Sequence, residues 1–344
     1  MKNILICNNQ VPYTKGGAEI LVEELNKQLK NRGYNSDIIN IPYKWYPAGE
    51  IINSTLVNRM IDLTEGNGEK IDLVICTKYP NYTIKHPNKV IWLLHQERQA
   101  YDLFDFEYSI LKDNPEGRKF RDQIVHIDNI TLNEAKKIFS ISKNVTKRLF
   151  NNNSIESEVL YPPVSGKFII SENEMGDYFV TISRLDKLKR IDLIVEAMRY
   201  TKSNAKLIVA GKGNEREYLE SMIKKYKLQN KVLLKGYISE EEKVELYSNS
   251  IGVVFVPQDE DYGYITIEAY LSGRPVITAL DSGGPLEFVE DGETGYIVSP
   301  EPQKIAQKID LLFNDKDKAR KFGKLGYEKV KNINWNNVIE KLVK

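Results

Sequence analysis

The stretch Lys206-Leu207-Ile208-Val209-Ala210-Gly211-Lys212-Gly213-Asn214 decides the fold class. Its first five residues form a short apolar run, and the glycines behind it break that run before a helical segment begins. Strand, turn and helix in that order are part of a βαβ unit. The same unit recurs on both sides of it. Strands are predicted near Tyr178 to Ser183, Val232 to Lys235, Val253 to Val256 and Pro275 to Thr278, each followed by helical periodicity. The N-terminal half repeats the alternation, with strands near Asn3 to Asn8, Ser36 to Ile41, Ile71 to Cys76, Val90 to Leu94 and Ile138 to Ser142. After the first of these, Leu21, Leu25 and Leu29 fall on one helical stripe that Gly33 stops. Alternation of this kind marks parallel sheets with crossover helices. The chain reads as α/β, with two similar parallel-sheet halves.

The domain boundary is placed at Tyr161-Pro162-Pro163-Val164-Ser165-Gly166, where the prolines forbid helix and favour an extended connector. This gives domains 1–165 and 166–330 and a terminal segment 331–344. In that segment Trp335, Val338, Ile339 and Leu342 form the apolar stripe of a helix expected to pack back across the boundary. A length of 344 residues suits two domains. Lys plus Arg number 49 against 48 Asp plus Glu, and this balance of +1 argues against a general nucleic-acid binder. A hydrophobic share of 41% excludes disorder throughout. Cys7 and Cys76 lie inside apolar runs and read as buried thiols in a reducing compartment. The N-terminal apolar stretch is too short for a signal peptide, and no run approaches the ~20 residues that cross a bilayer. A cytoplasmic protein is expected.

In open α/β sheets, ligands bind outside the carboxyl ends of the strands, so the residues behind each strand carry the chemistry. Behind the first strand, Gly16-Gly17-Ala18-Glu19 lets backbone approach a ligand and opens a helix whose amides suit an anion, although a plain tight turn has the same composition. His95 ends the strand Val90 to Leu94 and reads as lining a cleft; His86 and His126 have no such context. Arg184 ends the strand from Tyr178, and Lys189 follows at the start of a helix, so the two cations can converge on one diphosphate. The run Lys187-Leu188-Lys189-Arg190 also fits a solvated basic loop. Gly211-Lys212-Gly213 resembles a dinucleotide fingerprint, but Arg216 occupies its third glycine position and the NAD reading fails there. Behind Val232 to Lys235, backbone groups of Tyr237 and Ile238 can pair with a base edge, and Ser239 with Glu242 forms a capping box.

The most specific stretch runs from Pro257 through Asp259-Glu260-Asp261-Tyr262-Gly263-Tyr264-Ile265-Thr266 to Glu268, followed by Gly273-Arg274-Pro275-Val276-Ile277 and Gly283-Gly284. Two glutamates flank a glycine that begins a helix. The helix amides face a phosphate or sugar oxygen, while Glu260 and Glu268 accept from hydroxyls. Asp259-Glu260-Asp261 also has the form of a divalent-metal motif. That reading is disfavoured because Arg184 and Lys189 already neutralise a diphosphate. A glycosidase pair of carboxylates stays open on spacing alone, but a hydrolase has no use for the cation pair.

Together these segments resemble the retaining nucleotide-sugar glycosyltransferases of family four, whose two-Rossmann-domain architecture is called GT-B. The resemblance rests on Ser183-Arg184-Leu185-Asp186 with Lys189, on Ala210-Gly211-Lys212-Gly213, and on Glu260 to Glu268 with the glycines behind them. In the N-terminal half it rests on Gly16-Gly17-Ala18-Glu19, His95 and Tyr161-Pro162-Pro163-Val164. It implies that the two Rossmann-like, doubly wound parallel-sheet domains face a central cleft and that Arg184 and Lys189 hold the donor diphosphate. Glu268 would accept from the ribose and Glu260 would bind the transferred sugar, with the amides of Tyr264, Ile265 and Thr266 on sugar or phosphate oxygens. His95 would line the sugar pocket, while Gly16 and Gly17 would approach the phosphates. Arg190 stands where glycine commonly follows the lysine, and Tyr262 where phenylalanine is usual.

The expected activity is retaining, metal-independent transfer of a hexose-type sugar from a nucleoside-diphosphate sugar to a glycan or lipid-linked glycan in surface polysaccharide synthesis, with no cofactor. The alternatives are a sugar-nucleotide epimerase on the same fold and an inactive scaffold or binding subunit. Glu240 can accept from a guanine edge, which favours a GDP-linked donor slightly over a UDP-linked one. Lys136, Lys137, Lys143, Lys147 and Arg148 suit peripheral contact with the inner face of a membrane, and equally a solvated helix face.

Overall fold

Leu73-Val74-Ile75-Cys76-Thr77-Lys78 and Lys89–His95 are apolar on both faces of the strand, as a parallel sheet covered by helices on each side demands. All of their side chains except His95 are buried. The computed structural model that shows this describes residues 2–13, 16–106, 109–166, 168–170 and 174–344. The chain divides into two units, Met1–Ser165 with Asn334–Lys344, and Gly166–Ile333.

The first unit contains β1 (Asn3–Gln10), β2 (Asn35–Pro42), a small antiparallel hairpin of β3 (Glu65–Gly66) and β4 (Glu69–Lys70), β5 (Leu73–Lys78), β6 (Lys89–His95), β7 (Lys137–Ser140) and β8 (Glu158–Val159). Apart from the hairpin these form one parallel sheet in the order β2-β1-β5-β6-β7-β8. Its helices are α1 (Gly17–Asn31), α2 (Gly49–Met60), α3 (Gly117–Thr131) and α4 (Lys143–Asn153). Helix α1 buries Leu21, Val22, Leu25 and Leu29, and the chain leaves it through Gly33 at φ +83. Cys7 and Cys76 are register neighbours on β1 and β5, and both are free, buried thiols. Donation of its proton to Cys76 and burial together push the Cys7 thiol up.

In the second unit β9 (Tyr178–Ile182), β10 (Lys206–Ala210), β11 (Val232–Gly236), β12 (Gly252–Val254), β13 (Val276–Ala279) and β14 (Gly295–Val298) make a parallel sheet ordered β11-β10-β9-β12-β13-β14. Its helices are α5 (Ile191–Ala197), α6 (Arg216–Lys225), α7 (Glu240–Asn249), α8 (Tyr264–Leu271), α9 (Pro302–Asn314) and α10 (Lys316–Val330). Phe179, Val195, Leu207, Val254, Ile277 and Ile309 belong to one core between helices and sheet. The terminal helix α11 (Trp335–Val343) is part of the first unit. There Trp335 meets Trp92 edge-on at 6.1 Å, and Val338, Ile339, Leu342 and Val343 are buried.

β8, β14 and the hairpin are not among the predicted strands. Two-residue strands carry no periodicity, and Gly295-Tyr296-Ile297-Val298 is only four residues long behind a turn at Gly292. Among the described residues no helix is long and apolar enough to cross a membrane.

Each sheet reverses its winding once. In the second unit the chain leaves β9 to build β10 and β11 on one side, then returns to place β12 on the other. The carboxyl ends of β9 and β12 therefore open a crevice at the switch point. In the first unit β1 and β5 stand in the same relation.

Candidate functional site

The loops behind β9 and β12 meet at the second switch point. Lys189 ends a single turn of 3-10 helix, Lys187–Lys189, and forms an ion pair with Glu260 from the β12 loop. The expectation that Lys189 starts a helix is corrected: α5 begins at Ile191, because Arg190 takes a left-handed φ of +48 between the two. The Arg190 side chain holds that turn. It donates to Val256 O at 2.8 Å and Pro257 O at 2.6 Å, and its two terminal nitrogens grip the Asp281 carboxylate at 2.9 and 2.7 Å. Arg184 stays largely exposed, its guanidinium 3.4 Å from Asp186. The two expected cations thus have separate carboxylate partners.

Glu260 is fixed through its backbone. Its amide donates to Ser282 O at 2.9 Å, and its carbonyl accepts from the Gly284 amide at 2.8 Å. The approach is so close that a Cβ on Gly284 would lie 2.5 Å from Tyr262 O. Gly263 caps α8 at φ +85, where a Cβ would also meet Pro285 at 2.9 Å, so only glycine opens the helix there. The amides of Tyr264 and Ile265 lie in the first turn, which has no carbonyl within the helix to receive them. The Thr266 amide, expected to face ligand, instead donates to Gly263 O at 2.9 Å. Two polar atoms beside that turn, Tyr264 Oη and Thr266 Oγ1, are buried without a hydrogen-bond partner. Polar groups left so are rare in a folded interior.

Further along α8, the buried Glu268 accepts from Lys243 Nζ at 2.8 Å and from Tyr247 Oη at 3.0 Å. Tyr237 is exposed behind β11, with Lys212 Nζ 5.1 Å from its ring centre, and Ile238 is half-buried. Ser239 and Glu242 form the expected capping box. Glu240 is paired with Lys243 at 2.8 Å. Gly211 has φ +136, and a Cβ there would fall 1.8 Å from Ser183 O. Packing of the two loops therefore accounts for this glycine whether or not it also touches a donor.

In the first unit Gly16 caps α1 at φ −135, and a Cβ would meet only Glu19 Oε2 at 3.5 Å. The fold itself does not require glycine at this position. Lys15 lies outside the described residues. Gly17 is exposed in the first turn. Glu19 accepts from the Gly16 amide at 2.9 Å and pairs with Lys78 at 2.7 Å. Burial acts to raise the Glu19 carboxyl, but Lys78 and the Gly16 amide hold it below its ordinary value. His95 ends β6, with Nδ1 2.7 Å from Gln96 O. Because a carbonyl oxygen only accepts, Nδ1 donates that bond.

Residues 166–329, nearly the whole second unit, match the family model described as glycosyl transferases group 1. The second unit belongs to the group 1 glycosyl transferases. The α-1,3/1,6-mannosyltransferase ALG2 of Dictyostelium discoideum is 28% identical over 258 residues, covering 64% of this chain and 61% of that protein. The chain thus spans about three fifths of that relative. An uncharacterised glycosyltransferase of Methanocaldococcus jannaschii, MJ1607, is 26% identical over 92% of this chain and 90% of its own length. Among solved structures, HepE of Anabaena in complex with UDP and glucose superposes with a TM-score of 0.70 at 17% identity, covering all of both chains. The pair of parallel α/β units is the fold of the GT-B glycosyltransferases.

Three residues of the chain escape a reading by motif. Arg190 and Lys243 look like ordinary surface cations in sequence, yet Arg190 is held by Asp281 and two backbone carbonyls and Lys243 lies between Glu240 and Glu268. Asp128 lies on the buried stripe of α3 with Ile124 and Thr131, and an acid at helical spacing within an apolar stripe is the signal that marks it. It accepts from Tyr82 at 2.9 Å, Tyr101 at 2.7 Å and Gln96 at 3.0 Å, directly beneath the segment that follows His95. Burial pushes its carboxyl up to about 7 against those three donors.

Proposed function

We propose that this glycosyltransferase moves a hexose-type sugar, with retention, from a GDP- or UDP-linked donor to a glycan or lipid-linked glycan acceptor in surface polysaccharide synthesis. The observation that carries the reading is the meeting of Lys189 and Glu260 beside the opening of α8, at the switch point of the second sheet. A relative named as a mannosyltransferase and a structural neighbour solved with UDP and glucose support hexosyl transfer.

An ammonium has three protons, so Lys189 can keep Glu260 and still offer two to a diphosphate. Arg184 is exposed and its contact with Asp186 is long, so its guanidinium is available to the same charge at little cost. The amides of Tyr264 and Ile265 add the positive end of α8. Glu260 then accepts from hydroxyls of the sugar and Glu268 from those of the ribose.

In the reaction the bond from the anomeric carbon to the phosphate oxygen breaks, and its electron pair stays on that oxygen. The acceptor oxygen bonds to the anomeric carbon on the same face and passes its proton to the departing phosphate. Lys189 and Arg184 stabilise the charge that develops there, which is the larger part of the catalysis. Because these cations carry the diphosphate, transfer is metal-independent in this account.

The test is incubation with UDP- and GDP-hexoses and a glycan acceptor, with and without EDTA, followed by NMR of the new linkage. An axial donor giving an axial product in the presence of EDTA is expected. An inverted linkage, or transfer abolished by EDTA, would overturn the reading.

A further inference from the structure

Lys243 occupies the first turn of α7, where a cation opposes the helix dipole and where Glu240, Glu241 and Glu242 are the favoured residue type. Its ammonium nevertheless lies inward. It is 2.8 Å from Glu268, 2.8 Å from Glu240 and 5.4 Å from the ring centre of Phe168, which itself packs edge-on against Tyr247 at 6.0 Å. Only 14% of the Lys243 side chain and 11% of that of Glu268 are exposed, so neither charge is left to water. Burial acts to lower the Lys243 ammonium, and the two carboxylates more than offset it, holding it above its ordinary value.

The consequence falls on Glu268. An ionised carboxylate has about four acceptor positions, whereas a protonated one turns part of that capacity into a donor. Lys243 takes one position on Oε1, and Tyr247 takes one on Oε2. Each oxygen keeps a second acceptor position, enough in number for the two adjacent hydroxyls of a ribose. Burial raises the Glu268 carboxyl above its ordinary value, and the Lys243 ammonium and the Tyr247 hydroxyl oppose that rise.

We propose that Lys243 is a positioning and specificity-determining residue that holds and aims the Glu268 carboxylate, so that the site selects ribonucleotides over nucleotides lacking ribose hydroxyls. This rests on the donor reading above and adds a residue to it. Glu240, on the outer side of the same ammonium, is mostly exposed and contributes little to the selection.

The experiment measures, by calorimetry, the affinity of the full chain for UDP and GDP and for their 2′,3′-dideoxy analogues, in the wild type, Lys243→Met, Lys243→Gln and Lys243→Arg. The wild type should prefer one ribonucleotide over its dideoxy form by roughly tenfold or more. Lys243→Met and Lys243→Gln should lose most of that preference while binding the dideoxy analogue as the wild type does, and Lys243→Arg should restore it. A preference that survives Lys243→Met or Lys243→Gln overturns the inference. So does equal weakening of both nucleotides in every variant, which marks a role in folding alone. A wild type that binds neither UDP nor GDP overturns the donor reading itself, and a wild type that binds one without preferring its ribose form overturns the ribose role of Glu268 and with it the role given to Lys243, while leaving diphosphate binding intact.

Discussion

Arg190 shows how one side chain sets the geometry of the site. It adopts a left-handed conformation that costs a non-glycine residue about 1–2 kcal/mol, and its guanidinium bonds to the β12 loop hold it there. Arg190→Ala keeps the cost and loses the bonds, so it should destabilise the second unit by about 2–4 kcal/mol. Arg190→Gly removes the cost as well and should lose less, an order that chemical denaturation of the two variants would check. Asp128 makes a different prediction. Its folded carboxyl titrates near 7 against an ordinary value of 3.8, so the folded state retains its proton over a range in which the unfolded chain has released it. The associated stability is present below about pH 4 and is lost as pH rises towards 7. Asp128→Asn should flatten that slope in denaturation curves measured across the range, and an unchanged slope would contradict the assignment.

At the scale of elements, the helices that open on the site are set by glycines and caps. Gly263→Ala forces both a left-handed alanine and a collision with Pro285, so the first turn of α8 must move. A loss of about 1–3 kcal/mol in stability and at least a tenfold loss in nucleoside diphosphate affinity are expected from denaturation and calorimetry. Elements of this kind were legible beforehand, because β10 is a clean apolar run with glycines behind it and α1 has a regular leucine stripe closed by Gly33. The β14 strand was not, because four apolar residues behind a turn suit a strand, a loop or a helix start equally well. In the site, the glutamates and Lys189 were legible by type and spacing. The loss of the Thr266 amide to Gly263 O was not, since it depends on how tightly the helix starts. Nor was the enclosure of Lys243, which needs Glu268 and Phe168 brought beside α7 from distant parts of the chain.

The whole chain assigns its ends to one unit. Helix α11 completes the first unit after the chain has built the second, and it buries four aliphatic side chains with Trp335 against Trp92. Deletion of residues 334–344 should therefore destabilise the first unit by several kcal/mol, at ~1.5–3 kcal/mol for each fully buried apolar side chain. Nucleotide binding by the second unit should persist in the shortened chain at temperatures where it remains folded. Thermal unfolding followed with and without UDP or GDP would separate these outcomes. Each unit has its own switch point, one lined by Glu19, Lys78 and His95 and the other by Lys189, Glu260 and the start of α8.

The central claim is that the second switch point holds a nucleoside diphosphate through Lys189. Calorimetric titration of UDP and GDP into the wild type and Lys189→Ala, both in EDTA, tests it most directly. The account predicts saturable binding of one nucleotide by the wild type and at least a tenfold loss in Lys189→Ala, with an unchanged thermal midpoint in the absence of ligand. Equal binding by the two proteins, or no binding of either nucleotide to the wild type, would contradict it.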